Sequence, residues 1–136
     1  MKTRWIAGGL VGLSLLFLGG ASIGAQTDAQ TRKQIAQGRG IYMSYCASCH
    51  GVDATGNGLV APALKRQPSD LTRVKKVDGK FPAKQIQAII TGEMSLPVHG
   101  EKEMPVWGGI IKDADLTSLV RYIESIQRPL DLPPGG

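Results

Sequence analysis

Cysteine and histidine are scarce in this chain of 136 residues, which has two of each. Two cysteines, Cys46 and Cys49, cannot build the multi-disulfide framework that holds many small exported domains together. No segment shows the two-residue alternation of a half-buried strand, and there is no internal repeat. Something other than disulfides or a sheet must therefore organise the fold.

The chain also lacks a strong excess of one charge. It has 16 Lys and Arg against 11 Asp and Glu, and without Lys2 and Arg4 in the N-terminal apolar segment the net charge is 14 − 11 = +3. Basic residues alternate with acidic ones, as in Glu101-Lys102-Glu103, so a nucleic-acid-binding stripe is not predicted. A hydrophobic fraction of 42% and a charged fraction of 20% exclude wholesale disorder and a multispanning membrane protein.

Residues 1–25 have the pattern of a secretory signal peptide. Lys2 and Arg4 precede an uncharged run, and small residues close it at Ala21 to Ala25. The alternative is an uncleaved N-terminal anchor with membrane association, because about 20 apolar residues can span a bilayer. Both readings place a single domain, residues 26–136, outside the cytoplasm, and we expect a periplasmic protein.

Three amphipathic helices are predicted, separated by long stretches without a regular period. The helices are expected at about 31–47, from Pro82 to Gly92, and from an N-cap at Asp113 or Asp115 to just before Pro129. Residues 26–31 are expected to form a mobile lead-in. Residues 51–79 carry Gly and Pro and read mainly as loop, with one helical turn near Leu71. A loop of that length in a small domain is usually disordered or functional, and wrapping around a large ligand would explain it.

The segment Cys46-Ala47-Ser48-Cys49-His50 is the attachment sequence for a c-type haem. Each thiol can add to one vinyl group of the porphyrin, and two intervening residues let the sulfurs reach both positions. The next residue then presents its imidazole to the iron. The motif predicts one haem c, covalently bound through Cys46 and Cys49, with His50 as an iron ligand.

Two other uses of these thiols need residues that the sequence does not offer. A structural zinc site requires four Cys or His ligands, and only His99 remains outside the cluster. A thiol-disulfide exchange site would be expected beside a strand-helix-strand pattern, and no strand pattern precedes Cys46. Haem attachment is therefore the favoured interpretation.

With Cys46 fixed, the sequence resembles the class I c-type cytochromes, the bacterial monohaem family. Gly38, Tyr42 and Cys46 stand at four-residue steps, as glycine, aromatic and first cysteine do on that family's N-terminal helix. Leu119 and Tyr122 match the pair on its last helix that crosses the first. The resemblance covers about residues 31–128. It implies an all-α fold of three to four helices, with long loops wrapped around one haem.

Three further site residues are expected, of which the resemblance implies the first two, Pro62 and Met104. Pro62, in Pro62-Ala63-Leu64, would accept a hydrogen bond at its carbonyl from Nδ1–H of His50. Met104, followed by a proline, resembles the family's ligand loop and would be the sixth iron ligand. Met94 and His99 stay open as alternative ligands. Trp107 would cover the haem edge or bind a propionate.

An iron with both axial positions filled by protein atoms can do little except gain and lose one electron. The expected function is a periplasmic one-electron carrier, which shuttles electrons between redox proteins or serves as the haem subunit of a dehydrogenase or respiratory complex, and is not itself an enzyme. The alternative is a haem enzyme or gas sensor with an open sixth coordination site. The sequence does not identify the electron donor or acceptor.

Overall fold

The computed structural model describes residues 21–94 and 104–129. His99 and most of the N-terminal segment predicted to be a signal peptide lie outside the described residues. The described part is helical and contains no strand, with α1 at Ala21–Tyr45, α2 at Ala47–His50, α3 at Ala83–Thr91, α4 at Asp113–Ser125 and 3₁₀ turns at Ala61–Ala63 and Leu71–Arg73. The prediction of a small all-α fold is confirmed. Among these helices, none is long and apolar enough to cross a membrane.

The core forms where α1 and α4 cross. Tyr42 and Leu119 are fully buried, and the rings of Tyr42 and Tyr122 lie 5.3 Å apart at 50°. Gly38 allows this approach, because a Cβ there would overlap the carbonyl oxygen of Ser118 and lie 2.9 Å from Cβ of Tyr122. The apolar residues of α4 that follow the predicted helical spacing are buried at this crossing, namely Leu116, Leu119, Val120 and Ile123.

Helix α1 begins earlier than its apolar pattern predicts. Residues 26–31, expected as a mobile lead-in, are helical, and the exposed, mostly polar residues 27–33 extend the packed part of the helix toward its N-terminus. No glycine or proline interrupts residues 25–37, and Ala, Gln, Arg and Lys favour helix, so propagation from the packed turns costs little. Amphipathic patterns cannot detect such an extension, because its residues 27–33 are exposed.

The ends of α3 and α4 follow local sequence signals, with one exception. Gly92 ends α3 in the left-handed conformation at φ 79°, which glycine adopts without steric cost, and Pro82 precedes its first residue. α4 is preceded by Lys112 at the N-cap, so the expectation that Asp113 or Asp115 caps the helix is wrong. Both aspartates lie in its first turn, where negative charge favours the helix dipole.

Candidate functional site

The two cysteines lie where α1 ends and α2 begins, and both thiols are free. The backbone N–H of Cys46 donates to the carbonyl of Tyr42 at 2.8 Å, so the buried end of α1 fixes the first thiol. Burial raises the pKa of the Cys46 thiol to about 11, with a smaller contribution from Cys49. Cys46 is therefore protonated at neutral pH, whereas Cys49 is only partly buried.

The loop after α2 folds back onto the motif and satisfies its backbone. Three successive carbonyls of α2 accept hydrogen bonds of 2.8–3.0 Å from loop N–H groups, with Ser48 bound by Val60, Cys49 by Gly58 and His50 by Gly56. A short helix leaves such carbonyls without partners of its own, so the loop supplies them. The motif is thereby held as one rigid turn.

Gly51 makes the sharp change of direction directly after His50. Its φ of 85° and ψ of 156° lie in a region that is essentially restricted to glycine. The carbonyl of Gly51 accepts from the buried hydroxyl of Tyr42 at 2.5 Å and from the N–H of Ala54 at 3.1 Å. Desolvation by burial raises the pKa of Tyr42, which keeps this hydroxyl protonated as a donor. Tyr42 thus packs in the core and also binds the backbone directly after the motif.

The imidazole of His50 is oriented by a backbone carbonyl. Its Nδ1 lies 3.0 Å from the carbonyl oxygen of Ser69. Desolvation lowers the pKa of His50, although the hydrogen bond to Ser69 acts in the opposite direction. In the neutral ring, Nδ1 must carry the proton because a carbonyl can only accept. Nε2 then has a free lone pair, which is the arrangement that a metal ligand requires.

The predicted hydrogen bond from His50 to Pro62 is wrong, because Ser69 takes that place. Pro62 is exposed within the 3₁₀ turn at residues 61–63. Seven residues after Pro62, at Ser69, the chain returns to His50. Close by in sequence, the N–H of Leu71 donates to the carbonyl of Ala54 at 2.8 Å. A local signal was present in Asp70, whose carboxylate accepts from an N–H two residues on and marks a turn directly after Ser69.

Trp107 lies beside the end of α1. Its ring meets that of Tyr45 edge to face at 5.2 Å, and its backbone N–H donates to the carbonyl of Ile90 at 2.9 Å. The structure therefore brings Trp107 close to the residue that precedes Cys46. Met104 is 37% exposed and Met94 is 40% exposed, so burial does not distinguish between these two candidate ligands.

The donor set and the surrounding surface fit a covalently bound haem. Two free thiols stand two residues apart, and the neighbouring imidazole is neutral and oriented. Large apolar side chains are exposed in two segments. Leu59, in the loop after the motif, is 94% exposed, and Ile110, in the segment that contains Trp107, is 60% exposed. A domain of this size gains stability when a large apolar group covers such surface.

A family model described as cytochrome c oxidase, cbb3-type, subunit III matches residues 33–123, more than half of the chain. The chain belongs to this family. It is a class I c-type cytochrome. The cytochrome's cofactor is accordingly haem c, bound through Cys46 and Cys49.

Two curated relatives agree with this assignment. The cytochrome is 34% identical over 93 residues to the cbb3-type cytochrome c oxidase subunit FixP of Rhizobium meliloti (strain 1021). This alignment covers 68% of this chain and 27% of FixP. It is 28% identical over 88 residues to cytochrome c6 of Picosynechococcus sp. (strain ATCC 27264 / PCC 7002 / PR-6), covering 65% of this chain and 69% of that protein. The chain thus spans about a quarter of FixP. No solved structure matches it.

Proposed function

We propose that this cytochrome is a one-electron carrier whose haem iron is ligated by His50 and Met104. The observation that carries the proposal is the hydrogen bond between His50 Nδ1 and the Ser69 carbonyl. It fixes the tautomer that leaves Nε2 free, directly beside the two attachment thiols. Haem supplies a metal centre that changes its charge by one electron.

The residues of the chain would set which redox state is favoured. The carbonyl of Ser69 raises the basicity of His50, which favours Fe(III). The thioether of Met104 is a soft, neutral donor and favours Fe(II), so we expect a more positive potential than in bis-histidine cytochromes. If His50 and Met104 both bind the iron, they would leave oxygen and peroxide no place to bind it.

The N-terminal segment supports a place outside the cytoplasm. We propose that residues 1–25 act as a signal peptide or a retained anchor, and that residues 26–136 form the periplasmic monohaem domain. FixP is named as an oxidase subunit and cytochrome c6 is a cytochrome of similar length to this chain, so both a complex subunit and a separate carrier are consistent with the relatives. In either case, the partners are redox proteins, which often bind through small interfaces.

Carbon monoxide binding to the reduced cytochrome tests the proposal, because it requires an open axial position. We expect negligible binding at neutral pH in the wild type and rapid stoichiometric binding in Met104→Ala, which serves as the positive control. Rapid stoichiometric binding to the wild type would contradict the carrier function and favour a haem enzyme or gas sensor.

A further inference from the structure

The side chain of Gln127, two residues after the end of α4, joins two parts of the chain. Its Nε2 donates to the carbonyls of Leu71 at 2.7 Å and Ile123 at 2.8 Å, and its Oε1 accepts from the N–H of Val74 at 2.9 Å. The amide therefore uses both of its N–H donors and its carbonyl. An apolar residue of similar size would leave the backbone groups of Leu71 and Val74 without these partners.

The backbone between Leu71 and Val74 has a second link to the same end of α4. The N–H of Arg128 donates to the carbonyl of Thr72 at 2.8 Å. Thr72 is 2% exposed, and both its N–H and its hydroxyl donate to the carboxylate of Asp70, at 2.8 and 2.6 Å. The segment from Asp70 to Val74 is thus fixed against the C-terminal end of α4.

Ser69, the residue directly before this segment, carries the carbonyl that binds His50 Nδ1 at 3.0 Å. We propose that Gln127 is a positioning residue for His50. By holding residues 71–74 against α4, it fixes the Ser69 carbonyl and, through it, the orientation of the imidazole. This inference rests on the proposed ligation of iron by His50.

Loosening the Ser69 carbonyl has two consequences at the histidine. The Nδ1 proton becomes more accessible to solvent exchange, because its acceptor is held less firmly. The imidazole also becomes a weaker donor to iron, which favours Fe(II) and raises the midpoint potential.

The test uses the full chain with haem attached and compares the wild type with Gln127→Met. We expect exchange of the His50 Nδ1 proton, followed by NMR in the reduced state, to be about tenfold faster in the variant. The midpoint potential should rise while the haem content stays the same. Gln127→Ala should match Gln127→Met in both readouts and differ from it only in global stability, because packing of the side-chain stem is lost as well.

Gln37→Met is the matched control, because Gln37 also donates across to another helix, to Asp115 at 2.7 Å, without touching residues 71–74. Gln37→Met should leave the exchange rate of the His50 Nδ1 proton and the midpoint potential at wild-type values. An equal change in Gln37→Met, or none in Gln127→Met, would overturn the inference. A wild-type cytochrome without histidine ligation would instead overturn the proposed function, and its spectrum shows this before any variant is made.

Discussion

Single residues decide what the iron in this cytochrome can do, and the contacts of His50 show how. The carbonyl of Ser69 orients its ring and burial desolvates it, while its backbone carbonyl accepts from the N–H of Gly56. None of these contributions comes from a neighbour in sequence. The folded chain therefore orients the proposed ligand, and the motif alone provides only its position next to Cys49.

Replacement of the proposed sixth ligand, Met104→Ala, should lower the midpoint potential by roughly 0.1 V or more, because a soft, neutral sulfur no longer favours Fe(II). The visible spectrum should change as well. Redox titration followed by absorbance measures both effects.

Met94→Ala is the control for this substitution, since Met94 is exposed to nearly the same degree. It should leave potential and spectrum unchanged. A spectrum and potential that respond to Met94→Ala and not to Met104→Ala would assign the ligand to Met94, and a response to neither would point to His99.

The lowered pKa of His50 predicts a loss of stability in mild acid. In the unfolded chain the pKa is near 6.5. Desolvation lowers it in the folded state, and the proposed bond to iron would favour the unprotonated ring in the same direction. The unfolded chain then binds more protons, so stability is fully present above about pH 6.5 and falls as the pH is lowered. Urea unfolding should show a decrease of at most about 1.4 kcal/mol per pH unit below that point.

His99→Gln tests whether the decrease belongs to the other histidine. The variant should keep the wild-type pH dependence, and its disappearance would contradict the assignment to His50. Asp53 does not interfere, because hydrogen bonding, chiefly from the N–H of Thr55, lowers its pKa below 3.8 and places its titration at more acidic pH.

At the scale of helices, the crossing of α1 and α4 positions the whole site. The buried end of α1 carries Tyr42 and Cys46, and the end of α4 holds residues 71–74 through Gln127. The same pair of helices thus fixes both the motif that carries the histidine and the carbonyl that accepts its hydrogen bond. Separating the helices should weaken the site as well as the core.

Gly38→Ala tests the importance of this close approach. The added Cβ would overlap the carbonyl of Ser118, so the helices must move apart, at a cost of about 1–3 kcal/mol in the free energy of unfolding. Gly40→Ala, on the same helix and with no atom within 4 Å of the new Cβ, should instead stabilise by about 0.5–1 kcal/mol. Urea denaturation measures both, and equal effects at the two glycines would contradict the packing argument.

The sequence predicts those elements whose signals are local. Apolar spacing identifies α3 and α4, and Gly92 marks the end of α3 at the correct residue because its left-handed conformation favours glycine. The partner of His50 could not be predicted in this way. Its identity depends on where a loop of nearly twenty residues returns to the motif, and long-range hydrogen bonds such as that from Leu71 to Ala54 decide this. The resemblance to the family pointed to the carbonyl of Pro62 as the acceptor, whereas in the structure the acceptor is the carbonyl of Ser69.

At the scale of the molecule, the chain combines a small helical core with loops that expose large apolar side chains. Residues such as Leu59, Val52 and Ile110 are 94%, 72% and 60% exposed. Haem would add apolar burial to a core of this size, in addition to its redox chemistry. A chain that cannot form the thioether bonds should be less stable as well as inactive.

The most direct measurement is the mass and visible spectrum of the denatured polypeptide, after expression in a host competent for haem attachment. The account predicts that the wild-type chain carries the added mass of one haem and keeps the haem absorption after denaturation, because two thioether bonds hold the cofactor. The double variant Cys46→Ala, Cys49→Ala should lose both. A wild-type polypeptide that is colourless and has only the mass of its amino acids would contradict the account.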